Sequence, residues 1–108
     1  MIAYKVFRND LKSVSEFLME NAVDYSLNRQ WVRNKDIQGP AACFKTRDDA
    51  LLFAVWFQDV VIKKVEIVES EERCFWFCRN GRKVVNYGIL GDGIPDGTIF
   101  ADEVILKE

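Results

Sequence analysis

Apolar residues recur along this chain in two different periods, and the change of period marks its organisation. Ile2–Arg8 (IAYKVFR), Val60–Glu69 (VVIKKVEIVE) and Thr98–Leu106 (TIFADEVIL) are rich in β-branched and aromatic residues and read as strands. Asp24–Arg33 (DYSLNRQWVR) reads as a further strand, kinked near Leu27-Asn28, before a polar connection that ends at Gly39-Pro40. The stretch from Ala41 to Gln58 is different: a short buried strand, a turn, and one amphipathic helix over about 46–58. Thr46 and Asp49 have the spacing of a capping box, and Asp48 adds negative charge at the positive pole of the helix dipole. Residues 9–23 fit two readings. Ser13 with Glu16 can cap a short helix, or Asn9-Asp10 can turn the chain into a strand over 12–17.

The run from Ala50 to Phe57 is apolar at every position. A helix lying on one sheet needs roughly three apolar positions in seven, so this one carries apolar surface beyond what a single contact uses. If Ala50, Phe53, Ala54 and Phe57 face the sheet, a rotation of about 100° per residue carries Leu52 and Trp56 well round the helix.

A hairpin is the clearest local prediction. Asn80-Gly81 between two β-rich runs specifies a two-residue type I′ turn, which fixes the register. Arg79 then faces Arg82, Phe77 faces Val84 and Phe75 faces Asn86, with Cys78, Trp76 and Cys74 on the other face opposite Lys83, Val85 and Tyr87. Gly88–Gly97 (GILGDGIPDG) follows as a connecting loop with turn chemistry at its end. Together these elements predict one α+β domain over 1–108: a curved, mostly antiparallel sheet of five to six strands with one main helix packed on it.

Composition narrows the function classes. Fifteen Lys and Arg against seventeen Asp and Glu give a net charge of −2, which argues against holding a nucleic-acid backbone. No apolar run reaches the length of a membrane span and no leader pattern opens the chain, so a cytoplasmic, non-membrane protein is expected. Three cysteines suit a reducing compartment. On one strand, Cys74 and Cys78 stand ~13 Å apart, too far for a disulfide. With no histidine, the soft ligands of a structural zinc site and the usual general base of a triad are both missing, so neither metal nor cofactor is expected. Asp102-Glu103 is the nearest carboxylate pair, but neighbours on a regular strand point to opposite faces. The glycine-rich loop leads into a strand, whereas a phosphate loop leads into a helix.

The informative excess is aromatic: eight Phe, three Trp and three Tyr. Leu52 and Trp56 on the helix, and Phe75 and Phe77 beside Arg79 and Arg82 on the hairpin, have the composition of interface anchors. They make a protein partner, or self-association into a homo-oligomer, the first expectation.

The order of short motifs resembles that of small accessory proteins of bacteriophages and their bacterial hosts. The matching residues are Tyr4-Lys5-Val6, Tyr25 with Trp31, Cys43-Phe44 with Asp49-Ala50 and Phe53-Ala54, and Ala101-Asp102-Glu103-Val104 with Leu106. The resemblance implies a compact phage-type accessory domain without implying a reaction. The first reading that follows is a host-cytoplasmic protein that binds a host defence or regulatory factor, and another is a structural or assembly component. The resemblance also favours the strand reading of 12–17. A fainter similarity is to ADP-ribosyltransferases, which place an arginine at the end of an early strand and a glutamate on a late one. Arg8 and Glu103 fill those places, and would form a nucleotide-handling or nucleotide-sequestering site. The Ser-Thr-Ser strand of that family is not found in this sequence.

Overall fold

The computed structural model describes residues 1–12, 40–71, 75–79, 82–86 and 97–107, with backbone alone at 75–79 and 82–86. Among the described residues the strands are β1 (Ile2–Arg8), β2 (Ala41–Phe44), β3 (Val60–Glu69), β4 (Phe75–Arg79), β5 (Arg82–Asn86) and β6 (Thr98–Leu106), with one helix, α1 (Arg47–Ala54), between β2 and β3. The order β1-β2-β6-β3 closes on itself as a four-stranded barrel in which every pairing is antiparallel. The strands β4 and β5 form a separate two-stranded sheet. The α+β class and antiparallel pairing thus hold, whereas the expected sheet of five to six strands is corrected to a closed barrel of four.

The ladders explain the closure. β3 is long enough to serve two neighbours, pairing with β1 from Ile2↔Glu66 to Arg8↔Val60 and with β6 from Val65↔Leu106 onward. β2 lies against the start of β6, from Ala41↔Ala101 to Phe44↔Thr98. The ring is completed by a single residue pair, Tyr4↔Phe44, between β1 and β2. Closure takes up the lateral edges of the sheet, so the hairpin makes no further strand of it. The hairpin's own ladder has the predicted register, from Phe75↔Asn86 to Arg79↔Arg82. The Asn80-Gly81 turn, the Asp24–Arg33 strand and the choice between helix and strand beyond Lys12 lie outside the described residues.

Few strands make a narrow barrel, and its filling is correspondingly small. Ala3, Ala41, Cys43 and Ala101 share the interior with Phe7, Val65, Ile67, Ile99 and Val104. Outside the barrel, Val6, Phe44, Ala50 and Phe53 form a second core beneath α1, with Tyr4, Phe57, Val60 and Ile62 packed against it. β3 therefore behaves as its pattern predicts. Its odd positions Val65 and Ile67 face inward, and its even face is covered by the helix at Val60 and Ile62 but exposed at Lys64 and Val68.

Two features depart from simple alternation. Val68 pairs with Glu103 but Glu69 with Ala101, so β6 carries a bulge at Asp102. Ala101 and Val104, three residues apart, both face the interior, so the two-residue alternation is broken between them.

The second departure is Lys5, which takes the interior position between Ala3 and Phe7 and is only 4% exposed. Its ammonium donates to the Ala42 carbonyl at 3.3 Å and lies 5.5 Å from the Phe7 ring centroid. Lys63 is its cross-strand partner on β3. Desolvation lowers the Lys5 pKa from 10.5, opposed in part by the nearby Cys43. Burial in turn raises the Cys43 thiol from 9.0 to about 11.

Two measurements test this packing. A Cβ at Gly97, where φ is +75°, would stand inside contact distance of the Asp49 carboxylate, so Gly97→Ala should cost about 1–3 kcal/mol in chemical denaturation. Lys5→Met should change the pH dependence of stability, because it removes a buried group whose pKa folding lowers. Folding lowers the lysine's pKa, so the unfolded chain holds the extra proton and wild-type stability climbs as pH rises toward 10.5. The stability of Lys5→Met relative to the wild type should therefore fall as pH rises toward 10.5, with Cys43 present in both proteins.

Candidate functional site

The helix is placed by its first turn. Thr46, extended at φ −126° and ψ 157°, accepts from the Asp49 amide through Oγ1 at 3.1 Å and donates to Asp49 Oδ2 at 3.0 Å. The predicted cap is therefore present, with Asp48 and Asp49 both in the first turn. Lys45 anchors the approach by donating its amide to the Gly97 carbonyl at 3.1 Å. Only two residues separate β2 from α1, so the helix folds back over its own strand and onto the closing pair of the barrel. Phe53 stacks between Phe44, at 5.1 Å between ring centroids, and Phe57, at 5.0 Å.

The helix ends at Ala54, earlier than the predicted 58. The Trp56 and Phe57 amides donate to the Phe53 and Ala54 carbonyls in a tightened last turn. Asp59 then takes a left-handed conformation, φ 55°, that swings the chain into β3 while its carbonyl accepts from the Asn9 amide at 3.2 Å.

With Ala50 and Phe53 turned inward, the opposite side of α1 and its last turn faces water. Leu51 is 51% exposed, Leu52 69%, Val55 77% and Trp56 61%. Leu52 and Trp56 are where the sequence placed them. Leu51 and Val55 widen the surface, and the three- and four-residue spacing among the four was the available signal. Arg47 takes no part in it, because its guanidinium lies 5.0 Å from the Tyr4 ring centroid.

The remaining candidates are distributed elsewhere. Phe75, Phe77, Arg79 and Arg82 occupy the predicted ladder positions of the hairpin, and their side chains lie outside what is described. Arg8 pairs with Val60 at one end of β3, and Glu103 with Val68 near the other. Eight residues of strand separate those positions by roughly 26 Å. Arg8 is also engaged by Asp10 at 2.7 Å. The fold does not bring Arg8 and Glu103 to one small-molecule site. Among the described residues no group of three or more acidic or cysteine side chains is arranged to hold a metal, and no helix is long and apolar enough to cross a membrane.

Exposure on one side and burial on the other predict unequal costs of truncation. Phe53→Ala should lose about 3–5 kcal/mol. Trp56→Ala should lose about 1 kcal/mol or less, since most of its surface is already in water. Equilibrium denaturation of the two variants measures the difference directly.

Comparison with known proteins gives no matching family model, no matching curated protein and no matching solved structure.

Proposed function

We propose that this protein acts by binding another protein through the outer face of α1, and that it is a viral-type accessory domain whose target is a host factor. The observation that carries the reading is the contiguous exposure of Leu51, Leu52, Val55 and Trp56 on a helix whose other side is fully committed to the barrel. Isolated exposed apolar residues are ordinary, but four adjacent ones that include a tryptophan have the make-up of an interface centre. The order of motifs along the chain, similar to that of phage accessory proteins, supports a host protein as the target class. A host defence or regulatory factor fits a domain that acts by occupancy, in the host cytoplasm, with no chemistry of its own.

A photo-crosslinking amino acid at Val55 tests this in cells of a bacterial host. The expected outcome is a discrete heteromeric adduct that disappears when Leu52→Asp is added. The same label at Val68, equally apolar and also exposed, though less so (43% against 77%), and at the far end of β3, serves as the comparison. Equal labelling from both positions, or no adduct from Val55, removes the proposal. An adduct between two copies of this chain replaces it with self-assembly.

A further inference from the structure

The charges around the helix face are unevenly placed, and the unevenness describes the partner. Asp48 precedes Leu52 by four residues at one end of the apolar surface, and Asp59 follows Val55 by four and Trp56 by three at the other. Both carboxylates belong to exposed residues. At the Asp48 end the charge is offset by the positive pole of the helix and by exposed Lys45 just before the cap. The last turn holds no basic residue, the negative pole of the helix dipole points there, and Asp59 adds a full charge. The cation brought nearest by the Asn9–Asp59 hydrogen bond, Arg8, is tied to Asp10 at 2.7 Å. Arg47 is drawn away over Tyr4.

We infer that the occupant of this face is an amphipathic segment of another protein that lays apolar side chains on Leu51, Leu52 and Val55 and sets a lysine or arginine beside Trp56 and Asp59. This rests on the reading of the face as a protein-binding surface and names the chemistry of its partner. The exposed indole offers a cation its π-face, and Asp59 with the helix terminus supplies negative potential at the same point. A second copy of the chain is the poorer occupant. Its own face carries Asp48 and Asp59 and no basic residue in the last turn to set against Asp59. The surface is also short: eight helical residues span about 12 Å, which suits a single docked segment better than a broad globular interface.

Three synthetic helical peptides form the test, identical except that the first pairs a leucine face with lysines, the second pairs the same face with glutamates, and the third keeps the lysines but replaces leucine by serine. Binding is measured by isothermal titration calorimetry at about 20 mM and about 300 mM salt. The leucine–lysine peptide should bind the wild-type protein, more weakly at high salt, and at least about tenfold more tightly than either other peptide. Trp56→Ala should weaken it about tenfold. Asp59→Asn, which keeps a side chain that tolerates the left-handed backbone there, should weaken it about threefold. If the leucine–glutamate peptide binds as tightly and remains sensitive to Trp56→Ala, the face takes apolar segments but the charge inference is wrong. If leucine–lysine binding ignores Trp56→Ala, or the serine–lysine peptide binds equally well, the protein's overall acidity is responsible and the inference fails. Absence of binding by any peptide also overturns it, while leaving the crosslinking result from Val55 to stand or fall separately.

Discussion

The stack of Phe44, Phe53 and Phe57 fastens the helix at the weakest joint of the barrel. Tyr4↔Phe44 is the single pair through which β1 meets β2, and both residues belong to the core beneath α1. A ladder of one pair contributes little by itself, so the seam depends on what is packed across it. Phe53 supplies that packing by seating directly on Phe44. Once Phe53 and Ala50 are fixed inward, helical geometry leaves no choice about which side chains face water. The exposure of Leu52 and Trp56 is thus a consequence of barrel closure.

The narrow interior imposes the complementary constraint. Ala3, Ala41, Cys43 and Ala101 leave room inside for Phe7, Val65, Ile67, Ile99 and Val104, while Tyr4, Val6 and Phe44 of the same strands turn to the outer face. Lys5 is the exception. Its long stem lies in the apolar interior and its ammonium is held at the Ala42 carbonyl, an arrangement that costs desolvation and is offset only in part by the contacts it makes. Among the described residues Lys5 is the charged side chain enclosed with Ala3, Cys43, Val65, Val104 and Phe7.

Much of this was legible in the sequence because local rules decided it. The Thr46 cap, the bounds of β1, β3 and β6, and the register of the hairpin follow from spacing and turn chemistry that the fold does not override. The inward stripe of Ala50, Phe53 and Phe57 was legible for the same reason. Closure was not legible, since it depends on how β3 divides its length between β1 and β6, and no residue in VVIKKVEIVE announces that division. Nor was the bulge at Asp102, which a one-residue register difference creates. Lys5 was hidden by its type: in IAYKVFR, alternation alone does not say that the lysine's face is the buried one. Arg8 and Glu103 suggested a site by their order along the chain, but register places them at opposite ends of the barrel.

The account stands or falls on whether the outer face of α1 is open to solvent in the folded protein. Methyl NMR with a soluble paramagnetic relaxation agent reads this residue by residue. The methyl groups of Leu51, Leu52 and Val55 should broaden strongly, while those of Val6, Val65 and Val104 stay protected. Protection of Leu51, Leu52 and Val55 to the same degree as Val65, at concentrations where the protein is monomeric, would mean that the chain covers this face itself and would contradict the account.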